Sequence, residues 1–113
     1  MSSSRFRKVA LALPGAVEGA HQGTADFRVG KRIFATIGYP DDDWGMVKLT
    51  PEQQSVLVEA EPEIFRPVPG GWGKYGNTNV LLAKADATTL KSALTTAWQN
   101  LAPKAKASRG KKA

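Results

Sequence analysis

The chain has 113 residues, 42% of them hydrophobic, a formal charge of +6 and no cysteine. This length suits one domain with one modest core, and no apolar run is long enough to span a membrane. The absence of cysteine excludes disulfides, thiolate metal sites and cysteine nucleophiles and fits the cytoplasm. The single histidine, His21, leaves no zinc site of the usual kind.

Phe6, Val9, Ala10 and Leu13 recur at helical spacing, which predicts a first helix over residues 4–13 that Pro14-Gly15 ends. The serine-rich, basic start faintly resembles an organellar targeting peptide, but the amphipathic helix accounts for the same residues. Residues 16–24 read as a loop or irregular strand. Residues 25–29 and 32–37 then read as a hairpin around Gly30-Lys31. Glycine first in a two-residue loop suits a type II′ turn, and in that register Phe27 faces Phe34. Arg28, Lys31 and Arg32 crowd the tip, where they suit a phosphate backbone or simply blunt a strand edge against aggregation.

A turn-rich loop leads into a strand over residues 44–49, where alternation sets Lys48 opposite Val47 and Leu49 and allows it to share a face with the hairpin cations. Asp41-Asp42-Asp43 lacks the alternating ligands of a calcium loop and reads as a solvated acidic run. Thr50-Pro51-Glu52-Gln53 is a capping box with proline at the first helical position, opening a helix to about Ala60. Residues 67–77 form a Pro/Gly/aromatic loop. Its Gly71-Trp72-Gly73-Lys74-Tyr75-Gly76 fits the dinucleotide glycine pattern but lacks the strand before and helix after it. Trp72, Lys74 and Tyr75 could stack bases and bind phosphates; the blander expectation is that Trp72 plugs the sheet end. A buried strand over 79–83 follows, and Asp86 caps a last helix from about Ala87 to Leu101, with Leu90, Leu94, Ala97, Trp98 and Leu101 inward.

Pro103 closes the expected domain, residues 1–103, and residues 104–113 are expected to be a disordered basic tail. That tail supplies five cations and no acid, leaving 11 Lys/Arg against 10 Asp/Glu in residues 1–103. Glu18, His21 and Asp26 could form an acid–base set, but no nucleophile or oxyanion arrangement accompanies them. No cofactor or metal is expected. The expected core comprises Phe6, Val9, Leu13, Phe27, Phe34, Leu57, Leu81, Leu94 and Trp98.

Leu13-Pro14-Gly15-Ala16-Val17-Glu18, Asp26-Phe27-Arg28-Val29-Gly30, Ile33-Phe34-Ala35, Met46-Val47-Lys48-Leu49-Thr50-Pro51-Glu52 and Pro69-Gly70-Gly71-Trp72-Gly73 occur in an order and spacing that resembles the MmcQ/YjbR family of small bacterial proteins, over roughly residues 5–103. The resemblance implies an α+β two-layer sandwich, with an antiparallel sheet packed against helices in a frataxin-like arrangement. It also implies a DNA-binding protein with a double-wing motif. One departure is local: where the family commonly has Gly-Gly-Lys at the hairpin, this chain has Gly30-Lys31-Arg32.

The first expectation is therefore a small cytoplasmic, non-enzymatic DNA-binding protein. Its domain contacts are Arg28, Lys31, Arg32, Lys48 and Lys74; its tail contacts are Lys104, Lys106, Arg109, Lys111 and Lys112. The rival is a module for a protein or small anion, using the sheet near Trp44 and Trp72, with no nucleic-acid role.

Overall fold

A computed structural model describes residues 3–21, 24–38, 41 and 43–110, and of residues 21 and 103–110 the backbone alone. The elements in chain order are α1 (Ser3–Leu11), β1 (Val17–His21), β2 (Thr24–Val29), β3 (Arg32–Ile37), β4 (Trp44–Lys48), α2 (Pro51–Ala60), β5 (Phe65–Pro67), α3 (Gly71–Lys74), β6 (Asn77–Leu81) and α4 (Ala87–Gly110). The six strands form one sheet in the order β1-β2-β3-β4-β6-β5, with every neighbouring pair antiparallel. Helices α1 and α4 pack on β2, β3 and β4, while α2 lies against β5 and β6. The fold is thus α+β, as expected.

The core is the layer between helices and sheet. Phe6, Phe27, Phe34, Phe65, Val47, Val80, Leu90 and Leu94 are fully buried there. Phe6 and Phe27 meet with ring centroids 5.9 Å apart and tilted by 50°, a favourable aromatic arrangement. Gly45 admits this contact, because a Cβ there would collide with the Phe6 ring. Val9, Leu13, Leu57 and Trp98 pack on the core from its rim, and the Trp98 indole donates to the Pro14 carbonyl at 2.8 Å.

Leu81 is a correction to the expected core. It lies half-buried on the opposite face, and its neighbours Val80 and Leu82 point inward instead. Strand β6 is nonetheless buried on both faces from Asn77 through Val80, as its reading suggested, and opens only at Leu81.

The capping box forms as expected. Gln53 N donates to Thr50 Oγ1 at 3.1 Å, and Thr50 N donates to Gln53 Oε1 at 2.9 Å. Gln53 also exchanges side-chain hydrogen bonds with Asn100, joining α2 to α4. At the start of α4, Thr89 N donates to Asp86 Oδ1 at 2.7 Å. This bond holds the Asp86 carboxyl below its usual range, because it favours the charged form.

Helix α4 departs from expectation by running through Pro103 to Gly110. Proline removes one intrahelical hydrogen bond, while the alanines and lysines that follow are strong helix formers. Residues 111–113 lie outside the described residues.

Candidate nucleic-acid interface

The hairpin forms with Gly30-Lys31 as its loop, Val29 facing Arg32 and Arg28 facing Ile33. The register then slips, so that Phe27 faces Ala35 rather than Phe34. Phe34 is the extra residue of this bulge, and both Phe34 and Ala35 are fully buried. An inserted residue bends the strand and re-aims its side chains, so the expected Phe27–Phe34 pair gives way to the Phe27–Phe6 contact. The turn differs too. Gly30 and Lys31 both have positive φ, 59° and 69°, which is the pattern of a type I′ turn rather than type II′. A lysine in this region bears a steric cost of about 1–2 kcal/mol.

Lys31 and Arg32 are exposed at the tip, but Arg28 is not a free cation. Its Nε lies 2.8 Å from Asp26 Oδ1 and its Nη2 lies 3.1 Å from Oδ2. Asp26 is fully buried, and the paired carboxylate raises the Arg28 pKa further. Gly19 on β1 makes room for this pair, since a Cβ there would stand 2.9 Å from Asp26 Oδ1. Arg28 therefore neutralises a buried charge, which is a structural task.

Lys48 ends β4 exposed, facing Asn77 of β6, while Val47 and Leu49 are buried. It shares the face opposite α1 and α4 with Arg28, because cross-strand pairing carries that face from Lys48 and Met46 through Thr36 to Asp26 and Arg28. Arg32 instead faces core-directed Val29, so it leaves from the helix side of the tip.

Trp72, Lys74 and Tyr75 sit on the α3 turn that joins β5 to β6. Trp72 is 69% exposed and Tyr75 is 78% exposed, so Trp72 does not plug the sheet end. Nor do the glycines loosen this segment. A Cβ at Gly73 would collide with the Val68 carbonyl, and one at Gly76 with the Leu49 carbonyl. The glycines allow close packing, which three side-chain bonds reinforce: Gln54 Nε2 donates to the Gly73 and Asn77 carbonyls, and Asn77 Nδ2 donates to the Trp72 carbonyl, each at 3.0 Å.

Strand register brings most of these residues to one end of the sheet. The end of β2, the start of β3, the end of β4, the end of β5 and the start of β6 all meet there. Lys31, Arg32, Lys48 and Lys74 thus share one pole with the exposed rings of Trp72 and Tyr75. The C-terminal part of α4 arrives at the same pole, since Asn100 Nδ2 donates to the Lys48 carbonyl at 3.2 Å. From Asn100 the helix runs ten residues further, about 15 Å. Lys104, Lys106 and Arg109 ride on that extension, while Lys111 and Lys112 lie outside the described residues.

Among the described residues, Glu52, Glu18 and Asp26 lie toward this pole, with Arg7 Nε holding Glu18 at 3.0 Å and Arg28 holding Asp26. Asp41, Asp43, Glu61, Glu63 and Asp86 gather at the opposite end, where Leu82 N bonds the Asp43 carbonyl and Leu81 N bonds the Ile64 carbonyl. Asp42 lies outside the described residues.

Other candidates are dispersed. Trp44 faces Leu81, while Trp72 is tied to Asn77, four residues away along β6 and so about 13 Å distant. The two rings do not line one pocket. Arg66, which sequence reasoning did not single out, places its guanidinium 5.0 Å from the Trp44 ring centre, a cation–π distance. Its strand β5 is only three residues long and ends in proline, too short to show alternation. Glu18 faces Phe27 on the helix side while Asp26 lies on the other face, so they do not form an acid–base set. The His21 side chain lies outside the described residues. No described group of His, Cys, Asp and Glu is clustered to hold a metal ion, and no described helix is long and apolar enough to cross a membrane.

The fold resembles the crystal structure of Deinococcus radiodurans protein DR2400, which carries a DUF419 domain. The TM-score is 0.77 and the identity 23%, covering 92% of this chain and 80% of that one. A search of curated proteins gave no match. The YjbR family matches residues 11–100, which include the whole sheet, α2, α3 and α4 as far as Asn100. The chain belongs to the YjbR family.

Proposed function

We propose that this protein is a small, non-enzymatic, cytoplasmic nucleic-acid-binding protein that meets phosphates with the cationic pole of its sheet. The observation that carries the reading is the convergence of Lys31, Arg32, Lys48 and Lys74 at the sheet end that α4 also reaches. These side chains are exposed on three separate segments, as a surface that tracks a phosphate backbone requires. Lysines and an arginine on strand ends and tight turns give charge without base readout, so contacts are largely independent of sequence. The tail cations Lys104, Lys106, Arg109, Lys111 and Lys112 add further attraction.

The rival module for a protein or small anion would use the sheet near Trp44 and Trp72, which stand at opposite ends of it. Fluorescence anisotropy with labelled duplex DNA at low salt, repeated at rising salt, tests the proposal. Binding should weaken steeply as salt rises. A flat salt response, or no binding at low salt, would sink it.

A further inference from the structure

We infer that the α3 turn is a base-stacking platform, so that the pole prefers single-stranded nucleic acid to duplex. This rests on the proposed function and adds the kind of nucleic acid. Trp72 and Tyr75 leave 69% and 78% of their surface in water, although large aromatic side chains usually bury most of their area. Trp72 lies on α3 and Tyr75 follows as its C-cap, so both rings belong to the same short connection between β5 and β6. The turn is held firmly. Gln54 and Asn77 clamp its carbonyls, and Gly73 and Gly76 are packed against the carbonyls of Val68 and Leu49.

The platform is therefore preorganised, and a ligand need not order it on binding. Cations flank it: Lys74 lies between the two rings in sequence, and Lys48 faces Asn77, whose amide bonds the Trp72 carbonyl. Exposed π-faces beside ammonium groups suit a strand whose bases are free to stack and whose phosphates follow alongside. A B-form duplex hides its base faces inside the stack and offers these rings only its edges and backbone.

The test is an anisotropy titration of the full-length chain with labelled oligo-dT and with a duplex of equal length, at one salt concentration. The single strand should bind more tightly. Trp72→Ala should weaken single-strand binding roughly fivefold to a hundredfold, as loss of a stacked base does, and leave duplex binding within a factor of two. Tyr75→Ala should act in the same direction. Trp72→Phe, which keeps a ring, should recover most of the loss, whereas a fold defect would weaken both ligands alike and would not separate Phe from Ala. Equal binding of both ligands, with Trp72→Ala leaving both unchanged, would overturn the platform while leaving the cationic pole standing. Absence of binding to either ligand at low salt would overturn the proposed function and the platform with it.

Discussion

Removing residues 104–113 separates the pole of the sheet from the basic tail. Ala102 is the last core side chain among the described residues, and the deletion removes five cations and no acid. Each phosphate neutralised on duplex DNA contributes about 0.9 to the slope of log affinity against log salt. If Lys31, Arg32, Lys48, Lys74 and the five tail cations all engage, the full chain has a limiting slope of about −8. The tail supplies about −4 to −5 of this, so the truncated protein should retain about −3 to −4. Between 50 and 200 mM salt, a slope of that size costs roughly two decades of affinity, and the full chain loses nearly five. Lys31→Ala with Arg32→Ala in the truncated protein should then leave about −2. The assay is an anisotropy titration with labelled duplex at stepped salt. If truncation erases all affinity, the tail alone is a polycation and the pole is no reader of phosphates. If the double substitution leaves the truncated slope unchanged, the hairpin tip makes no contact.

Three further outcomes test the structural assignments. Arg28→Met should lower the unfolding midpoint, because Asp26 would stay buried without its guanidinium, and adding Asp26→Asn should recover part of the loss in a double-mutant cycle; an unmoved midpoint with a loss of DNA affinity would make Arg28 a contact residue instead. Gly76→Ala should destabilise by more than the roughly 1–2 kcal/mol of left-handed strain alone, since its φ is 102° and the new methyl group would strike the Leu49 carbonyl; a chemical denaturation midpoint close to wild type would show that the turn packs loosely. Asp86→Asn tests the helix cap through pH: the depressed Asp86 pKa gives stability that is present above about pH 4 and lost as pH falls through the folded value, so the wild-type advantage should shrink in acid, and an advantage constant down to low pH would exclude the carboxylate.

What the sequence disclosed about the fold was local. Thr50, Pro51 and Gln53 carry their own helix start, and Gly30-Lys31 marks a two-residue turn, because the geometry of each is set within four residues. The bulge was hidden. Nothing near Phe34 distinguishes a paired residue from an inserted one, and the choice depends on whether Phe34 can reach the core. The facing of Leu81 was hidden for a related reason: Asn79-Val80-Leu81-Leu82-Ala83 has too little polarity to reveal its period, and only pairing with β4 fixes it. At the candidate site, sequence named the cations but did not show the pairing of Arg28 or the exposure of Trp72. Arg28 looked like a wing cation because its partner Asp26 stands two residues away on the same strand face, where alternation alone gives no distance. Trp72 looked like a plug because large aromatics are usually buried, whereas the glycines around it close the turn and leave the ring outside.

The near neutrality of residues 1–103 would argue against phosphate binding if their charges were evenly mixed, but Lys31, Arg32, Lys48 and Lys74 lie at one end of the sheet while Lys84 and Arg66 lie with the acids at the other. In an antiparallel sheet, alternate connections return to the same end, so the β2–β3 turn, the exit of β4 and the α3 turn all open at one pole. The loop carrying Asp41 and Asp43, and the segment carrying Glu61 and Glu63, open at the other. The five residues of β6 alone separate these ends by about 13 Å, before either set of loops is added. At physiological salt the screening length is about 8 Å, so a phosphate at the tip of the hairpin is shielded from the far carboxylates while remaining within reach of Lys31 and Arg32. Net charge sums groups that such a phosphate cannot feel together. The charge within one screening length of the pole decides the attraction, and there the described cations outnumber Glu52, the Arg7-paired Glu18 and the Arg28-paired Asp26.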